Sequence, residues 1–194
     1  MKVAILKYNA GNTASVANAL SRLGADSVVT DDAVELQMAD KVIFPGVGEA
    51  STAMKYLLER GLDQLIRSLT QPVLGICLGM QLLCETSEEN STTCLGIVPR
   101  RVRRFESSEV KIPHVGWNTI NGLRSALFHS IGAGEHVYFV HGYFVETGAG
   151  TTATCEYAAP FSAAIEHRNF YGVQFHPEKS GIAGQRILDN FLKI

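Results

Sequence analysis

The sequence predicts an α/β fold in which a mixed, mostly parallel sheet carries helices on both faces and an antiparallel extension. Two observations lead there. In the first half of the chain, short apolar runs alternate with segments whose apolar residues recur at helical spacing, the pattern of parallel strands joined by helices. In the second half, short strand-like runs follow one another with no helix between them until the final segment, which suits antiparallel pairing.

Val3 to Leu6 reads as the first strand. A turn-rich stretch, Tyr8-Asn9-Ala10-Gly11-Asn12, leads from it into Val16, Ala17, Leu20 and Leu23 at helical spacing. Gly24 ends that helix, Ser27 to Val29 suggests a second strand, and Val42-Ile43-Phe44 a third, halted by Pro45 and the glycines of Pro45-Gly46-Val47-Gly48. Ala50 to Leu69 is amphipathic and reads as two helices split at Gly61. Pro72 to Ile76 is a buried strand that turns sharply, at Cys77, into a helix over Leu78 to Leu83. Arg100–Phe105, Gly116–Ile120, His136–Val140, Thr152–Tyr157, Ala163–His167 and Tyr171–Phe175 are the later strands, and Gly181 to about Leu192 is a closing helix. With no repeat, linker or low-complexity break, residues 1–194 are expected to form one domain.

Composition narrows the function. A formal net charge of -2 with 19% charged residues lacks the basic excess of a nucleic-acid binder. Arg100, Arg101, Arg103 and Arg104 are the dense basic cluster, and a strand divides them between two faces. Cys77, Cys84, Cys94 and Cys155 form no CxxC pair and have no close histidine partners, so neither a metal site nor a redox dithiol is expected. The opening apolar run is too short for a signal-peptide core or a membrane span, which predicts a cytoplasmic protein. No glycine-rich phosphate loop opens a helix, so neither nucleotide chemistry nor a cofactor is expected in this chain.

Three motifs carry chemistry. In Leu74-Gly75-Ile76-Cys77-Leu78-Gly79-Met80-Gln81, glycines flank a cysteine at a strand-to-helix junction, the geometry of a nucleophile elbow. The unpaired N–H groups of the following helical turn would stabilise negative charge on sulfur. In Val173-Gln174-Phe175-His176-Pro177-Glu178, His176 and Glu178 stand two apart on an extended segment, so the carboxylate can hold one ring nitrogen while the other faces a thiol. Pro45-Gly46-Val47-Gly48, after a strand, would expose backbone amides as an oxyanion hole together with the amide of Leu78. Each motif alone also has a plain structural reading: a small buried cysteine, a surface His–Glu pair, a loop.

Their order and separation resemble the class I glutamine amidotransferases, which use a Cys-His-Glu triad on a flavodoxin-like α/β fold, and the resemblance spans essentially the whole chain. Within that family, Pro45 to Ser51, Pro113-His114-Val115-Gly116-Trp117-Asn118, Tyr138 to Tyr143 and Phe170 to Gly181 resemble the glutaminase subunits of imidazole glycerol phosphate synthases. The resemblance implies Cys77, His176 and Glu178 as catalytic triad, Val47, Gly48 and Leu78 at the oxyanion hole, and Gly46, Gly48, Gln81 and Glu85 near glutamine. It also implies a (β/α)8-barrel cyclase as heterodimer partner in histidine biosynthesis, with Asn12, Tyr138 and His141 at the interface. A sister glutaminase serving another ammonia-using synthase would share the triad but differ around Trp117 and Tyr138. A cysteine peptidase or thiol-dependent hydratase would not need the His-Pro-Glu strand, and a non-enzymatic scaffold would have a broken triad.

Overall fold

The computed structural model describes residues 1–9 and 11–194; Ala10, inside the turn expected after the first strand, lies outside the described residues. The first half of the chain runs β1 (Lys2–Leu6), α1 (Thr13–Arg22), β2 (Asp26–Thr30), α2 (Ala33–Met38), β3 (Lys41–Gly46), α3 (Ala50–Glu59), α4 (Leu62–Ser68), β4 (Val73–Cys77) and α5 (Leu78–Leu82). It continues through β5 (Thr86–Ser87), β6 (Thr92–Thr93), β7 (Arg101–Arg104), β8 (His114–Ile120), β9 (Glu135–His141) and β10 (Tyr143–Val145). The last elements are β11 (Thr151–Glu156), β12 (Pro160–His167), β13 (Phe170–Val173) and α6 (Gly181–Lys193).

The main sheet has seven strands in the order β11-β12-β13-β4-β3-β1-β2. β2, β1, β3, β4 and β13 run parallel, and β12 and β11 extend the sheet antiparallel. This is the expected fold class. β3 and β4 are buried at every position because both faces of the sheet are covered. One core packs α3, α4 and α5 against the sheet through Phe44, Leu57, Ile66 and Met80. The other packs α1, α6 and the β8–β9 ribbon through Ile5, Leu20, Phe139 and Phe191. β10, β7, β5 and β6 form a smaller sheet.

Several local differences from the expected elements have physical causes. α2 gives little periodic signal because Leu36 is its buried residue; it is fixed instead by Asp32, which accepts from the Glu35 amide at 2.9 Å. β13 stops at Val173 instead of Phe175. There the chain leaves its neighbour β4 and crosses to β9, where the His176 amide donates to Tyr138 O at 2.9 Å. The arginine cluster is spread out, with Arg103 between Glu88 and Glu146 and Arg100 donating to Ala149 O.

Parallel strands deliver their carboxyl ends to one edge of the sheet, so the loops after β1, β3, β4 and β13 converge. Among the described residues no helix is long and apolar enough to cross a membrane.

Candidate active site

Cys77 ends β4 with φ 52° and ψ -108°, a conformation that L side chains rarely adopt and that surrounding packing must enforce. The flanking glycines show how. A Cβ on Gly79 would lie 1.8 Å from Phe44 O, and one on Gly75 would lie 2.8 Å from Gly79 C and Met80 N. Their absence lets α5 press onto β3 and β4, and the chain must then turn within one residue. The thiol that this turn projects lies 3.8 Å from Val140 O, and Gln174 Nε2 approaches the sulfur at 3.6 Å.

His176 and Glu178 meet through a short 3-10 turn over Pro177–Lys179, not by alternation along a strand. His176 Nδ1 is 2.8 Å from Glu178 Oε1, with both side chains buried. Asn12 Nδ2 donates to the same carboxylate oxygen at 2.5 Å. Burial alone would lower the His176 pKa, but the negative sulfur of Cys77 and the Glu178 carboxylate outweigh it and raise it to about 10. Among the described residues His176 Nε2 is buried without a fixed hydrogen-bond partner, and Cys77 is the sulfur that acts on that ring.

A cavity of about 300 Å³, the size of a free amino acid's site, opens over Cys77. Val47, Gly48, Leu78 and Gln81 line it, together with Glu89, His141 and Tyr143. Gln81 donates from its amide to Tyr143 O at 2.9 Å and to Gln174 Oε1 at 3.0 Å, which ties one wall to the residue beside the sulfur. Gly46 is the register partner of Cys77 and supports the wall from beneath.

One expected placement changes. Glu85 is exposed on a separate surface beside Thr86 and Arg101, because α5 ends at Leu82 and the chain reverses before reaching it. Glu89 is the carboxylate that reaches the cavity instead. His141, expected at the partner interface near the site, is buried and lines the cavity; its Nδ1 donates to Tyr143 O at 2.8 Å, and its Nε2 therefore accepts from His114 Nδ1 at 3.0 Å. Burial pushes His114 down to about 4 and His141 down to about 3, so both rings are neutral near pH 7. Tyr138 does face outward, half-buried, across from Trp117. Sequence reasoning missed Gln174, Glu89 and His114. Gln174 left a signal as a polar residue inside the otherwise apolar run that ends at Phe175, and His114 stands within the Pro113–Asn118 motif.

Residues 4–194 match the family described as glutamine amidotransferase class-I. The chain belongs to that family. A relative from Bacteroides fragilis named imidazole glycerol phosphate synthase subunit HisH is 57% identical over the full length of both chains. One of the same name from Pasteurella multocida is 45% identical, covering 98% of this chain and 97% of its own. A solved structure of a glutamine amidotransferase from Thermotoga maritima superposes with a TM-score of 0.67 at 17% identity, covering 100% of this chain and 83% of its own. That likeness concerns the fold. In this class-I glutamine amidotransferase, a thiol, an imidazole and a carboxylate stand in sequence beside an amino-acid-sized cavity. The arrangement can add sulfur to a carbonyl carbon and deliver a proton to a departing amine.

Proposed function

We propose that this chain is the glutaminase subunit of an imidazole glycerol phosphate synthase, hydrolysing glutamine to glutamate and supplying ammonia to a (β/α)8-barrel cyclase in histidine biosynthesis. The observation that carries the reading is the convergence of Cys77 with His176 and Glu178, from distant parts of the chain, beside a cavity walled by Val47 and Gly48. Full-length similarity to subunits of that synthase supports the choice of synthase.

In the reaction, glutamine occupies the cavity with its side-chain amide over Cys77. The thiol proton resides on His176, and the thiolate adds to the amide carbon. Amides of Leu78 and of the Gly46–Gly48 turn receive the oxyanion. As the C–N bond breaks, His176 returns the proton to nitrogen and ammonia leaves. Water then gives a proton to His176 and attacks the thioester, releasing glutamate and restoring the thiol. Glu178, itself held by Asn12, keeps Nδ1–H in place and offsets the ring's charge.

The outward face of β8 and β9 fits the cyclase. Val115 and Trp117 are each 56% exposed there, Tyr138 stands across from Trp117, and Ile182 nearby is 78% exposed. An exposed apolar cluster of this kind suits a protein partner. The four cysteines are all unpaired and buried, which suits a reducing cytoplasm.

Glutamate release is measured with and without the cyclase and its nucleotide substrate, on wild type and Cys77→Ala. The proposal expects weak release from the free chain, a marked rise in the complex, and a loss of at least ~10⁴-fold in Cys77→Ala while added ammonia still supports the cyclase. Normal release by Cys77→Ala would refute the assignment.

A further inference from the structure

Tyr8 follows β1 and packs its ring on Phe44, centroids 5.3 Å apart, in the core beneath α3 and α5. Its hydroxyl is buried and, among the described residues, has no hydrogen-bond partner. It ends against Gly46: a Cβ on that glycine would lie 2.3 Å from the phenol oxygen. Gly46 opens the turn whose next two residues, Val47 and Gly48, line the cavity, whereas Tyr8 lines none of it. The hydroxyl thus stands against the first residue of the oxyanion turn without lining the cavity. Burial, and secondarily the charge of Cys77, push the phenol well above its usual pKa, so it remains an O–H donor.

A buried donor without an acceptor destabilises the fold, and a phenylalanine would fill the same space without that cost. The glycine-rich turn offers an acceptor. A peptide plane holds its N–H and C=O pointing in opposite directions, so aiming an amide of Val47 or Gly48 at the oxyanion sends the carbonyl of Gly46 or Val47 to the other side. We propose that Tyr8 is a positioning residue for the turn: its hydroxyl donates to the carbonyl of Gly46 or Val47 when the amide of that peptide faces the oxyanion. The inference rests on the glutaminase reading above.

The test is Tyr8→Phe in the complete complex with the cyclase, with kcat and KM for glutamine and the melting temperature recorded beside wild type. The ring and its contact with Phe44 are kept. The inference expects kcat to fall by about tenfold, KM to stay within about twofold, and the melting temperature to hold or rise as the unpaired donor disappears. An inactive wild-type complex would refute the glutaminase reading. With an active wild type, the Tyr8 inference fails if kcat is unchanged, if KM rises in its place, or if kcat falls only together with the melting temperature.

Discussion

His176 feels opposing influences: burial disfavours its charge, while the negative sulfur of Cys77 and the Glu178 carboxylate favour it, and the latter win, with a pKa of about 10. A histidine in the unfolded chain titrates near 6.5. Because the folded value is the higher, the stability this ring contributes is fully present below about pH 6.5 and is lost as pH rises through about 10. The melting temperature of wild type should therefore decline between about pH 8 and 10.5 more steeply than that of His176→Asn. Parallel declines would show that the ring is not held charged. Glu178 depends in turn on Asn12, a residue in the left-handed region at φ 84° whose amide is spent on the carboxylate. That link joins the loop after β1 to the end of β13 and cannot be read from a motif, since 166 positions separate the two residues.

At the scale of elements, the elbow is set by contact between α5 and the strands beneath it. Gly79→Ala would drive a methyl into Phe44 O, 1.8 Å from the Cβ position, and Phe44 is fixed within a fully buried strand. A cost of about 3 kcal/mol or more is expected, read as a drop of roughly 6–12 °C in melting temperature. A variant that melts like wild type would mean that α5 is not pressed onto β3. The elbow was legible because glycine bracketing of a cysteine is a local pattern, and β1, β3 and β4 were legible because doubly covered strands are uniformly apolar. Glu85 was misplaced because helix ends leave weak marks: α5 has five residues, and a reversal after Leu82 turns the expected face away. The strand expected to end at Val140 runs one residue further. β9 extends to His141, and its alternation buries Val137, Phe139 and His141 while turning Tyr138 outward.

Across the whole molecule, β9 connects the proposed partner face to the chemistry. Tyr138 looks outward, while its carbonyl accepts from the His176 amide and its amide donates to Ser180 Oγ, which in turn bonds His176 O. Val140, one pleat further on, gives its carbonyl to the Cys77 thiol. A partner seated on Trp117 and Tyr138 would press on the strand that holds both the base and the nucleophile. This coupling was beyond the sequence because it is made by backbone groups, which carry no residue signature. All of it presumes that Cys77, alone among four buried cysteines, meets glutamine. The direct test is to treat the cyclase complex with a glutamine analogue bearing a diazoketone in place of its side-chain amide, and to locate the adduct by peptide mass mapping. A stoichiometric adduct on Cys77, abolished by excess glutamine, is the expected result; an adduct on Cys84, Cys94 or Cys155, or complete inactivation with Cys77 unmodified, would contradict it.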